Sequence, residues 1–246
     1  MFLTEQYEQV IILEDDLEVS PDFFEYFDAT SPILWADPTL YCVSAWNDNG
    51  QVTHVHDPTR LFRSDFFPGL GWMLTRTLWE ELGPTWPGAY WDDWLRHPNQ
   101  RKNRGCIRPE VSRSYTFGEM GTSNSQFYSK FLKGIKKNEE FVEFTKMDLQ
   151  FLLKQNFDPM WIRTINEATE VTRTRFSTSG REEERVRDSG FSGSVPFIRL
   201  ANELHIMSDE KAGVYRTAYM GVVAVQTKGT QLYLVPRSGP SFVYSS

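Results

Sequence analysis

Three adjacent acids, Glu14, Asp15 and Asp16, close the apolar run in "VIILEDDLEV". Two like charges about 4 Å apart cost roughly 4 kcal/mol at an effective dielectric near 20, so either water screens them or a cation sits among them. Acids at the carboxyl end of an apolar strand lie where open α/β sheets bind ligands. Hard oxygen donors suit Mg2+ or Mn2+, which take one or two carboxylates plus substrate phosphates. A solvated acidic loop ahead of a helix is the plainer alternative. A second acid pair, Asp92 and Asp93, stands in "YWDDWLR". A carboxylate between tryptophans is partly desolvated, which raises its pKa and suits a general base. Aromatic faces beside it suit a sugar ring; two acids capping a surface helix is the competing reading. The glycines of "FFPGLGW" permit either close approach to a ligand or tight packing of backbone, and packing is the simpler account. Of the histidines His54, His56, His97 and His205, only the first two are near neighbours. They lie in a polar loop without Cys or acids at ligand spacing, so no zinc site is expected.

The elements that must position these residues follow from pattern. "QVIILE" is short, β-branched and lacks polar alternation, which predicts a fully buried strand. "SPDFFEYFDAT" then opens a helix, with Ser20 as N-cap and Pro21 at the first helical position. Strand, acidic loop and helix make half of a βαβ unit. "LYCVSAWN" is a second strand entering the polar turn "NDNG"; "PGLGWMLT" is a turn and strand, and "RTLWEEL" a helix. "CIRPEVSRSYTF" adds a strand with an extended exit, and residues 118–129 read as a mobile surface loop followed by a helical stretch. Residues 169–193 are densely charged and read as solvated strand or loop, "VPFIRLANELHI" is amphipathic at helical spacing, and "YMGVVAVQTKGTQLYLVPR" is a hairpin. A buried strand needs neighbours and covering helices. With so few residues before "QVIILE", the chain is expected to begin inside a domain.

The 246 residues are 40% hydrophobic, enough to bury the core of one large domain or one domain plus a small one. A net charge of −7 argues against nucleic acid or an anionic membrane as the main partner. No apolar run approaches the ~20 residues that span a bilayer, and no signal peptide precedes the first strand, so the chain as written is expected to be soluble. Cys42 and Cys106 are either two buried thiols or one disulfide, which would belong to an oxidising compartment.

Taken in order, "LEDDLEVSPDFFEYF", "CVSAWNDNG", "DFFPGLGW", "WDDW" and "CIRPEVSR" with the following "TFG" resemble the N-acetylglucosaminyltransferase I family. The likeness is dense from Val10 to Phe117, continues through "FVEFTKMDL" and thins over the last hundred residues. The resemblance implies an α/β fold of the GT-A nucleotide-sugar type with a mixed sheet. On it, residues 1–118 are the later part of a catalytic domain, 119–150 a donor-closing loop and linker helix, and 151–246 a small C-terminal α+β domain. It implies an inverting, Mn2+-dependent transfer of GlcNAc from UDP-GlcNAc to a terminal mannose of a high-mannose N-glycan, in β1,2 linkage. By the same resemblance Asp16 holds the metal, Asp15, Glu14 and Ser123 bind the donor, and Asp92 is the catalytic base, with Asp93 the fallback. Trp91 and Asp93 bind the acceptor, and Cys42 pairs with Cys106. The family resides in the Golgi lumen behind a membrane anchor and stem, and its first nucleotide-binding strands are expected to be missing here. Two other readings stay open: an inactive glycan-binding or regulatory fragment, and a transferase directed at O-mannose.

Overall fold

The protein is described from a computed structural model covering residues 7–118, 131–171, 186–188, 194–227 and 229–236. In chain order the first half runs β1 (Gln9–Ile12), β2 (Leu17–Val19), α1 (Phe23–Ala36), β3 (Leu40–Ser44), β4 (Leu61–Ser64), β5 (Trp72–Thr75), α2 (Arg76–Leu82), α3 (Trp91–Arg96), α4 (Pro98–Arg101), β6 (Gly105–Pro109) and β7 (Ser114–Thr116). The second half holds α5 (Lys154–Glu167), β8 (Thr169–Val171), β9 (Val186–Asp188), α6 (Ser194–Glu203), β10 (Glu210–Lys211), β11 (Val214–Tyr215), β12 (Val223–Thr227) and β13 (Thr230–Leu234).

Five strands form a mixed sheet in the order β1-β5-β3-β6-β4, with β3 and β6 parallel and the other neighbours antiparallel. Alternation along each strand sends side chains to two apolar layers. Met73, Val43 and Ile107 join α1, Phe144, Leu152 and α5 on one face. Trp72, Leu74, Cys42 and Cys106 join Phe67, Leu78, Leu82 and Leu95 on the other. The Cys42–Cys106 disulfide lies within this second layer and ties β3 to β6 across 64 residues of chain. Closing a loop of that length stabilises by roughly 4 kcal/mol in the chain-entropy model. The β12–β13 hairpin is covered on both sides: Ala224 and Tyr233 face α5, while Val223, Val225, Leu232 and Leu234 face α6.

Three expectations need correction. β1 is not a fully buried central strand: all four of its residues are half-buried, and among the described residues it is an edge strand paired only with β5. Its apolar composition serves the two faces of the sheet rather than two flanking strands. The first helix does not start at Ser20 and Pro21. The Ser20 N–H donates to the Arg113 carbonyl at 2.9 Å, which keeps Ser20 on the end of the β2–β7 ribbon, and α1 begins at Phe23 with Asp22 as N-cap. The stretch after residue 130 is not one helix but 3₁₀ turns at Leu132–Gly134, Phe144–Lys146 and Gln150–Leu152 joined by extended chain. Phe144 and Leu152 there are drawn into the sheet's first apolar layer, so burial overrides helical spacing.

Candidate active site

The acids after β1 are held by two neighbours. Gly71 N–H donates to Glu14 Oε2 at 3.1 Å, and Gly71 can deliver it because its φ of +84° suits glycine. The glycine-rich turn therefore does more than pack. Burial pushes the Glu14 carboxyl up; its own N–H and that of Gly71 oppose this, and the negative Asp16 adds to it. Asp15 is exposed. Asp16 immediately precedes β2, which pairs antiparallel with β7 so that Leu17 faces Thr116. Thr116 Oγ1 donates to Asp16 Oδ2 at 3.1 Å, and Phe117 N–H donates to the Asp16 carbonyl at 3.0 Å. A Cβ at Gly118 would fall on the Asp16 carboxylate, so the chain there approaches as only glycine can.

The second acid pair begins α3. Tyr90 precedes it with a left-handed φ of 52° and is 75% exposed. Trp91 lies near-parallel to Trp72 and to Trp86, with ring centroids 6.0 and 6.1 Å away. Arg96 is buried and shares one nitrogen between both acids, at 2.7 Å from Asp92 Oδ2 and 2.9 Å from Asp93 Oδ1. Its Nε donates to the Phe67 carbonyl at 3.1 Å, and its guanidinium covers the Phe66 ring. Asp93 Oδ2 accepts a further bond from Lys211 Nζ at 3.0 Å. Partial burial acts to raise the Asp93 carboxyl, but Lys211 and Arg96 outweigh it and hold the group below the usual carboxylate range. The raised pKa expected of a carboxylate between tryptophans is thus reversed at Asp93, because two cations face it.

One segment joins the two acid clusters. Residues 66–72 give Glu14 its N–H donor at Gly71, receive Arg96 at Phe66 and Phe67, and stack Trp72 on Trp91. Ser123 lies outside the described residues. Among the described residues no group of three or more His, Cys, Asp or Glu side chains is arranged to hold a metal ion. Asp16 alone still fits a divalent cation that draws its remaining ligands from phosphate and water, since Oδ2 is steadied by Thr116 and no described residue bonds Oδ1. Sequence reading missed Arg96, although its spacing from Asp92 and Asp93 on a helix was a usable signal. Lys211, 118 residues from Asp93, carried no such signal.

A sequence profile of the GNT-I family matches residues 1–244. The chain belongs to the GNT-I family. It is 44% identical over 247 aligned residues to the alpha-1,3-mannosyl-glycoprotein 2-beta-N-acetylglucosaminyltransferase of Arabidopsis thaliana, across 99% of this chain. It spans about half the length of that relative, 54%. Both acid clusters and the glycine-rich turn between them lie inside the region matched to the GNT-I family.

Proposed function

We propose that the chain carries the chemistry of an inverting, Mn2+-dependent N-acetylglucosaminyltransferase. UDP-GlcNAc is the donor and a terminal mannose of a high-mannose N-glycan the acceptor, joined in β1,2 linkage. The corresponding fold is of the GT-A type over residues 1–118, with a donor-closing segment over 119–150 and a small α+β domain over 151–246, working in the Golgi lumen. The observation that carries this reading is the contrast between the paired aspartates. Among the described residues Asp93 has both oxygens engaged, by Arg96 and Lys211, whereas Asp92 has only Oδ2 engaged. Asp92 Oδ1, on a side chain 42% exposed, is free of described partners and supports Asp92 over Asp93 as the base.

Asp92 takes the proton of the acceptor hydroxyl as that oxygen bonds to the anomeric carbon. The bond from that carbon to the UDP phosphate oxygen breaks on the opposite face, which inverts the configuration. Glu14, fixed by Gly71, and Asp15 line the donor side. Trp91, braced by Trp72 and Trp86, and Asp93 wall the acceptor side. Asp16 would hold a Mn2+ ion, which when bound would supply charge neutralisation for the departing diphosphate. The test is UDP release and product formation from UDP-GlcNAc, Mn2+ and a high-mannose acceptor. Asp92→Asn is expected to lower kcat by about 10²–10⁴-fold, the usual range for a general base, with donor affinity retained. An unchanged rate refutes the base assignment. Calorimetric glycan binding with no Mn2+-dependent donor binding would favour the inactive glycan-binding reading instead.

A further inference from the structure

The charges on α3 continue into a distant part of the chain. Arg96 Nη1 divides between Asp92 and Asp93, and Lys211 closes the row from the other end. Lys211 ends β10, whose two residues pair with β11. That small hairpin is anchored without Lys211. Arg216, just beyond β11, reaches Asp48 at 2.6 Å and Asp209 at 2.8 Å, and its guanidinium covers the same Phe66 ring that Arg96 covers. Removing the Lys211 charge therefore leaves the hairpin docked, so its effect on the acids can be read separately.

Two neighbouring carboxylates that share one guanidinium nitrogen compete for it. The charged groups acting on Asp93 are Arg96 from its own helix and Lys211 from the hairpin. With Lys211 on Oδ2, Asp93 is satisfied from both sides and has no reason to draw Arg96 away from Asp92. We propose that Lys211 is a positioning residue: by holding Asp93 it keeps Arg96 aligned on Asp92 Oδ2, so that Asp92 presents Oδ1 to the acceptor hydroxyl in one orientation. The inference rests on the transferase reading above and deepens it, since it assigns the hairpin of the second half a part in the base's geometry.

The experiment compares the chain with Lys211→Met and Lys211→Arg, following the side-chain carboxyl signals of Asp92 and Asp93 by 13C NMR from pH 2 to 7. Loss of the cation should raise the Asp93 titration point and shift the Asp92 carboxyl signal at pH 7 as Arg96 moves off it, and Lys211→Arg should restore both. In turnover, kcat should fall about 10-fold in Lys211→Met through misalignment, with the donor KM unchanged, and Lys211→Arg should recover it. An Asp92 carboxyl signal that stays put in Lys211→Met overturns the proposal. So does a loss of rate that Lys211→Arg does not recover, which would mark Lys211 as merely structural. Full turnover in Asp92→Asn would refute the base assignment itself, while the carboxyl signals still decide whether Lys211 governs Asp92.

Discussion

Replacing Asp22 with Asn removes one half of an ion pair that water does not reach. The Asp22 and Arg113 side chains are both 0% exposed, and the Arg113 Nη2 and Nε donate to Asp22 Oδ2 at 3.0 and 3.2 Å. Asn138 Nδ2 donates to the same oxygen at 3.0 Å, and further arginine hydrogens go to the carbonyls of Val111 and Pro58. Burial pulls the Arg113 guanidinium down and the Asp22 charge offsets this, so losing that charge leaves a buried cation uncompensated. Breaking such a pair costs about 3–5 kcal/mol, a large part of the roughly 5–15 kcal/mol that holds a domain folded. At about 2–4 °C per kcal/mol for a chain of this size, Tm should fall by roughly 6–20 °C. The consequence reaches the site, because the Arg113 carbonyl accepts from Ser20 N–H and the next residue opens β7, the strand that steadies Asp16. Urea unfolding followed by tryptophan fluorescence measures the change. The pair Asp22→Leu with Arg113→Met removes both charges and should recover most of the loss, to within about 2 kcal/mol of the native chain. An Asp22→Asn chain within about 1 kcal/mol of native, a change typical of ordinary substitutions, would refute the reasoning.

Gly118→Ala should put its methyl group onto the Asp16 carboxylate. Mn2+-dependent UDP-GlcNAc affinity, read by calorimetry, should then fall at least about 10-fold, as when a ligand's supporting shell is disturbed; unchanged affinity counts against Asp16 as the metal ligand. His54 supplies a pH prediction. Burial holds its imidazole below 6.5, and the backbone groups of Gln226, Leu204, Thr53 and His205 only partly offset that. The unfolded chain therefore takes up the proton first: stability present above about pH 6.5 is lost as pH falls towards the lower folded pKa. His54→Gln should flatten that part of the urea-midpoint profile, and a slope as steep as in the native chain would show that other groups cause it.

Local structure was legible wherever neighbouring residues decide it. β3, the turn into β5, α2 and the β12–β13 hairpin lie where alternation, glycine and helical spacing put them. The same holds for the strand after residue 104, whose "CIRPE" run becomes β6. Patterns shared by two environments misled. β1 is as apolar as a central strand because both faces of an edge strand can still meet core, and the chain around Phe144 has helical spacing but folds as 3₁₀ turns over the sheet. Asp22 stands at the start of α1, yet its carboxylate makes no cap and pairs with Arg113, 91 residues on.

The sequence by itself determined which groups are present and which sit side by side: Glu14 with Asp15 and Asp16, Asp92 with Asp93, and the glycines near residue 70. Those follow from covalent order and from backbone preferences that act over a few residues. Only the tertiary structure decided that Gly71 donates to Glu14, that Thr116 steadies Asp16, and that Lys211 and Arg96 together occupy Asp93 while one Asp92 oxygen stays free of partners among the described residues. Each of these contacts joins residues dozens of positions apart or depends on which acid the distant residue reaches. Charge and hydrogen-bonding capacity are written in the residue types, but the partner that satisfies them is chosen by sheet register and burial.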